Sequence, residues 1–173
     1  MTSVLLMVDT QRNMLRPPEP VPDADPVGRV IGEVLDHARS SGARVVHIRN
    51  TGGPGEPDEP GTDGWELAYP VATGEHVVDK TEADAFAGTG LADLVPRGAR
   101  VVVVGMQSEY CLRSTALGAL TRTARVVVVR GAHATYPDGR PAAEISAAVE
   151  SELAMAGVKI RTPSELSFGS PMD

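Results

Sequence analysis

The sequence predicts an α/β fold of three layers, a doubly wound, six-stranded parallel sheet with helices on both faces. Three observations predict it. Short segments rich in Val and Ile recur at residues 4–8, 44–48, 77–80, 101–104, 125–129 and 158–161. Residues 4–8 and 101–104 are apolar without alternation, as strands buried on both faces must be. Helical patterns stand between most of these segments, and repeated strand–helix alternation implies right-handed crossovers and parallel pairing.

The first strand is residues 4–8, Val-Leu-Leu-Met-Val. A Pro-rich loop from Arg16 to Pro22 leads to a helix with Asp25 as expected N-cap and Pro26 at its first position, where the missing N–H costs nothing. Val27, Val30, Ile31, Val34, Leu35 and Ala38 share one face of that helix, and Gly42 ends it. Strand two, 44–48, is followed by residues 50–64, which are Gly, Pro, Asp and Glu with almost no apolar side chain. A surface loop of that length in a compact domain usually serves function or moves. Strand three is 77–80, a short helix covers 89–95, and strand four is 101–104. Beyond Gly105, Ser108 is the expected N-cap of a helix whose Leu112, Ala116, Leu117 and Leu120 recur at helical spacing. Strand five covers 125–129. Pro141 opens a helix that turns Ile145, Ala148, Val149 and Leu153 to the core, and Gly157 ends it. Strand six is 158–161, Thr162-Pro163 opens a last short helix, and 167–173 reads as a loose tail.

With 173 residues, the chain suits a single domain spanning 1–173. Apolar content of 42% with 23% charged residues is that of a globular protein. A net charge of −7 without a visible basic face argues against a nucleic-acid binder. One cysteine cannot form an internal disulfide, and neither a basic leader nor a long apolar run is present, so a cytoplasmic protein without membrane segments is expected.

That cysteine, Cys111, sits where a helix should begin after a buried strand. Unpaired N–H groups and the positive helix end there favour thiolate, so a lowered thiol pKa is expected. Asp9 ends strand one and Lys80 ends strand three. In a parallel sheet the carboxyl ends of strands share one edge, and ligands bind there at the point where strand order reverses. An acid, a lysine and a thiol on one edge have the layout of an activated nucleophile.

Asp9 with Gln11, Lys80, and Gly105-Met-Gln-Ser-Glu-Tyr-Cys111 resemble the isochorismatase-like cysteine hydrolases. Pro60-Gly-Thr-Asp-Gly-Trp-Glu-Leu67 is similar to a loop motif of that superfamily. The resemblance spans nearly the whole chain. It implies a strand order of 3-2-1-4-5-6, a catalytic triad of Asp9, Lys80 and Cys111, and a non-proline cis peptide at Met106–Gln107. It also implies hydrolysis of small amides, lactams or carbamoyl compounds through a thioester, with the N–H groups of Gln107 and Cys111 as oxyanion hole. An enol-ether hydrolase with Asp9 as acid, and a silent binding domain on the same fold, are the alternatives.

Gln11, Met14, Leu15, Trp65, Tyr69 and Tyr110 flank the proposed edge and are the candidate substrate-binding residues; Trp65 competes as a plug that packs the long loop. No cofactor is expected. His37, His47, His76 and His133 stand apart, without metal-binding spacing. The nicotinamidase branch of the resembling family places histidines in the loop at 50–64, and this chain has none there, only Glu56, Asp58, Glu59 and Asp63. These carboxylates are expected to do no more than hold a hard cation loosely at the surface. A homo-oligomer is expected from the resemblance, with Leu67 and Val71 lacking an obvious place in the core.

Overall fold

The computed structural model describes residues 2–123 and 125–169. Its sheet has six strands: β1 (Ser3–Val8), β2 (Arg44–Asn50), β3 (His76–Lys80), β4 (Arg100–Met106), β5 (Val126–Ala134) and β6 (Lys159–Arg161). Every pairing is parallel, in the order β3-β2-β1-β4-β5-β6. The order reverses between β1 and β4, as the resemblance implies.

Alternation along β1 sorts the core into two layers. Val4, Leu6 and Val8 face one side, with Leu112, Ala116 and Ala119 and with Val149 and Leu153. These belong to the turn Ser108–Leu112, to α4 (Arg113–Leu120) and to α5 (Ala142–Ala156). Leu5 and Met7 face the other side, against Val27, Ile31, Val34, Leu35 and Ala38 of α2 (Ala24–Ser40). β1 is buried along its whole length, which explains the absence of polar alternation in its sequence. Among the described residues, two one-turn helices, α1 (Arg12–Leu15) and α3 (Leu91–Leu94), and the expected last short helix, a single turn at Pro163–Glu165, complete the set. Among the described residues no helix is long and apolar enough to cross a membrane.

Gly105 is required where it stands. Its φ is 120°, and a β-carbon there would come within 1.9 Å of the Val8 carbonyl oxygen. β4 pairs with β5 through a register shift beside it, between Val103 and Gly105, so that Gly105 lies opposite His133.

Several local expectations are corrected. α2 begins at Ala24, because Asp23 takes a left-handed conformation (φ 60°) and its carbonyl accepts the first helical bond, from Val27 N–H. Asp25 therefore lies in the first turn and is not the cap. Ser108 is no N-cap either: its hydroxyl is buried and bonds to His133 and Ser146. α1 is not foreseen by the sequence pattern, β5 runs to Ala134, and residues 170–173 of the expected tail lie outside the described residues. His37 packs edge-on against Phe168 with ring centroids 5.2 Å apart.

Candidate active site

Asp9 follows β1 and Cys111 follows β4, so the acid and the thiol straddle the point where strand order reverses. Lys80 ends β3 and reaches across β2 to join them. Its Nζ lies 3.2 Å from Asp9 Oδ2 and 3.3 Å from Cys111 Sγ, and donates to Asn50 Oδ1 at 3.0 Å. Asp9 and Lys80 are only 3% and 2% exposed, whereas Cys111 is half-buried. Asp9 has a φ of 49°, an uncommon conformation for a non-glycine residue, and its N–H donates to Ile48 O. Strand ends therefore set Asp9 and Lys80, and the turn after β4 sets Cys111.

The electrostatics follow from this burial. Removal from water pushes the Asp9 carboxyl up to about 6, with the Lys80 ammonium opposing the rise. Burial, then the neighbouring Asp9 carboxylate, push the Cys111 thiol up to about 12, with Lys80 pulling the other way. The expected lowered thiol pKa is corrected. Cys111 lies on a turn, Ser108–Leu112, closed by i→i+5 bonds such as Leu112 N–H to Gln107 O, and packed beside a carboxylate. Shielding and like charge there outweigh the helix end. The resting thiol keeps its proton, and Asp9 is the adjacent group able to take it.

Two polar residues that pattern reading missed hold Lys80 in place. Asn50 donates from Nδ2 to Asp58 Oδ2 at 2.6 Å while its Oδ1 accepts from Lys80. Asp58, expected as a loose surface carboxylate, is buried. Gln11 clamps the same residue from behind: Oε1 accepts from Asn50 N–H at 2.8 Å, and Nε2 donates to the carbonyls of Asn50 and Trp65 at 3.1 Å each. The only sequence signal for Asn50 and Asp58 was their place at the start of a long polar loop.

A cleft of about 880 Å³ opens over Asp9 and Cys111, with Lys80 buried behind them. Its wall includes Met14, Tyr110, Gln107 and Cys111 among the predicted residues, together with Tyr136 and Asn13. The peptide Met106–Gln107 is cis. Four predicted substrate contacts lie elsewhere. Gln11 is 1% exposed with both amide ends committed to backbone. Leu15 and Tyr69 pack with the α2 layer, and the Tyr69 hydroxyl donates to Gly28 O at 2.6 Å. Trp65 lies under the Arg49 guanidinium, 3.4 Å from ring centroid to Cζ, and pins the long loop as the plug reading expects. The cleft is acidic: Asp9, Glu19, Glu56, Asp58 and Asp63 line it against Arg12 alone, which pairs with Asp63. Among the described residues no three His, Cys, Asp or Glu stand together as a metal site.

The comparisons with known proteins agree with this fold. The isochorismatase domain model matches residues 3–158. A streptothricin hydrolase of Streptomyces noursei is 46% identical over 161 residues, covering 86% of this chain; the chain spans 64% of that relative's length. An isochorismatase of Pseudomonas putida superposes with a TM-score of 0.84 at 24% identity, over 95% of this chain and 90% of that one. N-carbamoylsarcosine amidase of Thermoplasma acidophilum superposes with a TM-score of 0.81 at 24% identity, over 96% and 99% of the two chains. With the family model covering nearly all of the sheet and its crossovers, this chain belongs to the isochorismatase family.

Proposed function

We propose that the chain is a cysteine hydrolase that cleaves the C–N bond of a small amide, lactam or carbamoyl compound. The observation that carries this reading is Lys80 Nζ standing 3.3 Å from Cys111 Sγ and 3.2 Å from Asp9 Oδ2, buried behind an open cleft that Asp9 and Cys111 line. As Sγ attacks the carbonyl carbon, its proton passes to Asp9, and Lys80 balances the negative charge shared by sulfur and carboxylate. The N–H groups of Gln107 and Cys111 receive the carbonyl oxygen as it becomes anionic; a donor in that role is worth about 2.7–4 kcal/mol. Asp9 then returns the proton to the departing nitrogen, and water resolves the thioester. The similarity to streptothricin hydrolase supports hydrolysis at carbon–nitrogen bonds.

Charge selects among substrates. With five carboxylates and one paired arginine on its wall, the cleft favours a neutral or cationic molecule. An enol ether of isochorismate type carries two carboxylates and would meet repulsion on entry, so the amide reading stands ahead of it. The test is amine or ammonia release from a panel of primary amides, lactams and carbamoyl compounds, neutral and cationic, run beside isochorismate. Turnover of the amide class, unchanged after dialysis against a strong chelator, is the expected result. Turnover of isochorismate alone would overturn the reading, and activity lost on chelation and restored by zinc or manganese would overturn its metal-free form.

The protein is proposed to self-associate. Val71 and Val77 are each 42% exposed, and Val77 lies on the edge strand β3. Light scattering at micromolar concentration should give a multiple of 18.1 kDa, and a monomer would refute it.

A further inference from the structure

Beside the turn that carries the nucleophile lies a chain of polar groups, buried at Ser108 and His133, that the proposed chemistry does not use. Ser108 Oγ is 2.8 Å from His133 Nδ1 and 2.9 Å from Ser146 Oγ. His133 Nε2 is 3.2 Å from Glu150 Oε1, and Arg130 Nε donates to Glu150 Oε2 at 2.8 Å. The members come from three elements: Ser108 from the turn that carries Cys111, His133 and Arg130 from β5, Ser146 and Glu150 from α5. Ser108 and His133 are 0% and 5% exposed.

Hydrogen-bond arithmetic gives the chain one polarity. A carboxylate only accepts, so Glu150 takes the Nε2 proton of His133 as well as that of Arg130. Burial works against the ionised Glu150, but the bonds from His133 and Arg130 hold its carboxyl below the ordinary value. In the tautomer that donates from Nε2 to Glu150, Nδ1 is the acceptor and takes the Ser108 hydroxyl proton. With that proton spent, Ser108 Oγ accepts from Ser146. The order of groups, acid to imidazole to hydroxyl, is that of a serine nucleophile, yet Ser108 is sealed from solvent and no substrate reaches it. What the chain does reach is the first residue of the turn Ser108–Leu112. A turn closed by i→i+5 bonds is seldom stable by itself, and here it must hold Sγ against both Lys80 and Asp9.

The geometry points to Ser108 and His133 as positioning residues, a buried strut from β5 and α5 that fixes the Cys111 turn in its attacking geometry. This rests on Cys111 being the nucleophile. Because Cys111 is the only cysteine, its alkylation by iodoacetamide reads the turn with no substrate present, so a failure of the strut and a failure of the hydrolase reading are told apart. Ser108→Ala removes the hydroxyl and leaves the volume almost unchanged. It should lower kcat about tenfold with KM within about twofold, since small misplacement of a reacting atom costs rate and not binding. Alkylation of the parent should rise as Asp9 ionises and can take the thiol proton; in Ser108→Ala, with Sγ displaced from Asp9 and Lys80, its rate at neutral pH should fall about tenfold. Ser108→Thr, which keeps the hydroxyl, should recover most of both. If Ser108→Ala does not fold, Glu150→Gln in the same two assays should move them in the same direction by a smaller factor. Unchanged kcat and alkylation profile in a folded variant, or losses that track only the unfolded fraction, would overturn the strut.

Discussion

Cys111→Ala should lower hydrolysis by roughly 10⁴–10⁶-fold while leaving the fold intact, because loss of a covalent nucleophile removes the whole reaction path and not one contribution to it. The side chain is half-buried at the carboxyl edge of the sheet and packs only against the margin of one core layer. Trimming its sulfur should therefore change stability by no more than about 1 kcal/mol. The measurement is steady-state turnover of the best amide found, with a urea unfolding midpoint on the same preparation. Turnover within about tenfold of the parent would mean that Asp9 works without the thiol, as an enol-ether hydrolase would require.

Asp9→Asn and Lys80→Met should each cost about 10³-fold or more, and neither loss should add to that of Cys111→Ala, since the three groups act as a unit. The parent enzyme should show the same dependence as a pH profile. Asp9 must be ionised to accept a proton, and its carboxyl is raised to about 6, so kcat/KM should be full above that pH and fall as pH drops through it. Lys80 opposes the rise, so its removal should move the acid limb upward in whatever activity survives. Stability runs the opposite way at this residue. The folded protein binds the Asp9 proton more tightly than the unfolded chain does, so Asp9 favours folding at low pH and that contribution is lost as pH rises through about 6. A profile flat from pH 5 to 8 would remove Asp9 from the proton path.

The residues legible in the sequence were those whose position follows from strand geometry. Asp9, Lys80 and Cys111 each terminate or follow an apolar run, and parallel strands deliver their ends to a single edge. Family resemblance supplied the strand order, which periodicity does not carry. The rest depended on where loops turn. Leu15 and Tyr69 flank the edge in sequence, but Leu15 packs with the α2 layer from α1, and Tyr69 reaches the same layer separately, its hydroxyl donating to Gly28 O. Asn50 and Asp58 read as loop polarity because nothing in a run of Gly, Pro and acids reveals which carboxylate will be buried. The helix-end argument fails for the thiol because a wider turn, shielded from water, stands where a helix would start.

The seam between β1 and β4 carries a consequence for how this protein can change over generations. Val8 and Gly105 are paired across it, Asp9 is the next residue on one side, and Cys111 follows a short turn on the other. A side chain at position 105 has no room, so any replacement must wedge the two strands apart and widen the acid–sulfur gap in the same stroke. The polar loop that walls the cleft has no such coupling; it meets the chemistry mainly through Asn50 and Asp58. Selection can therefore rewrite what enters the cleft by drifting the loop, while the spacing of the reacting atoms is inherited almost as a fixed constant of the backbone.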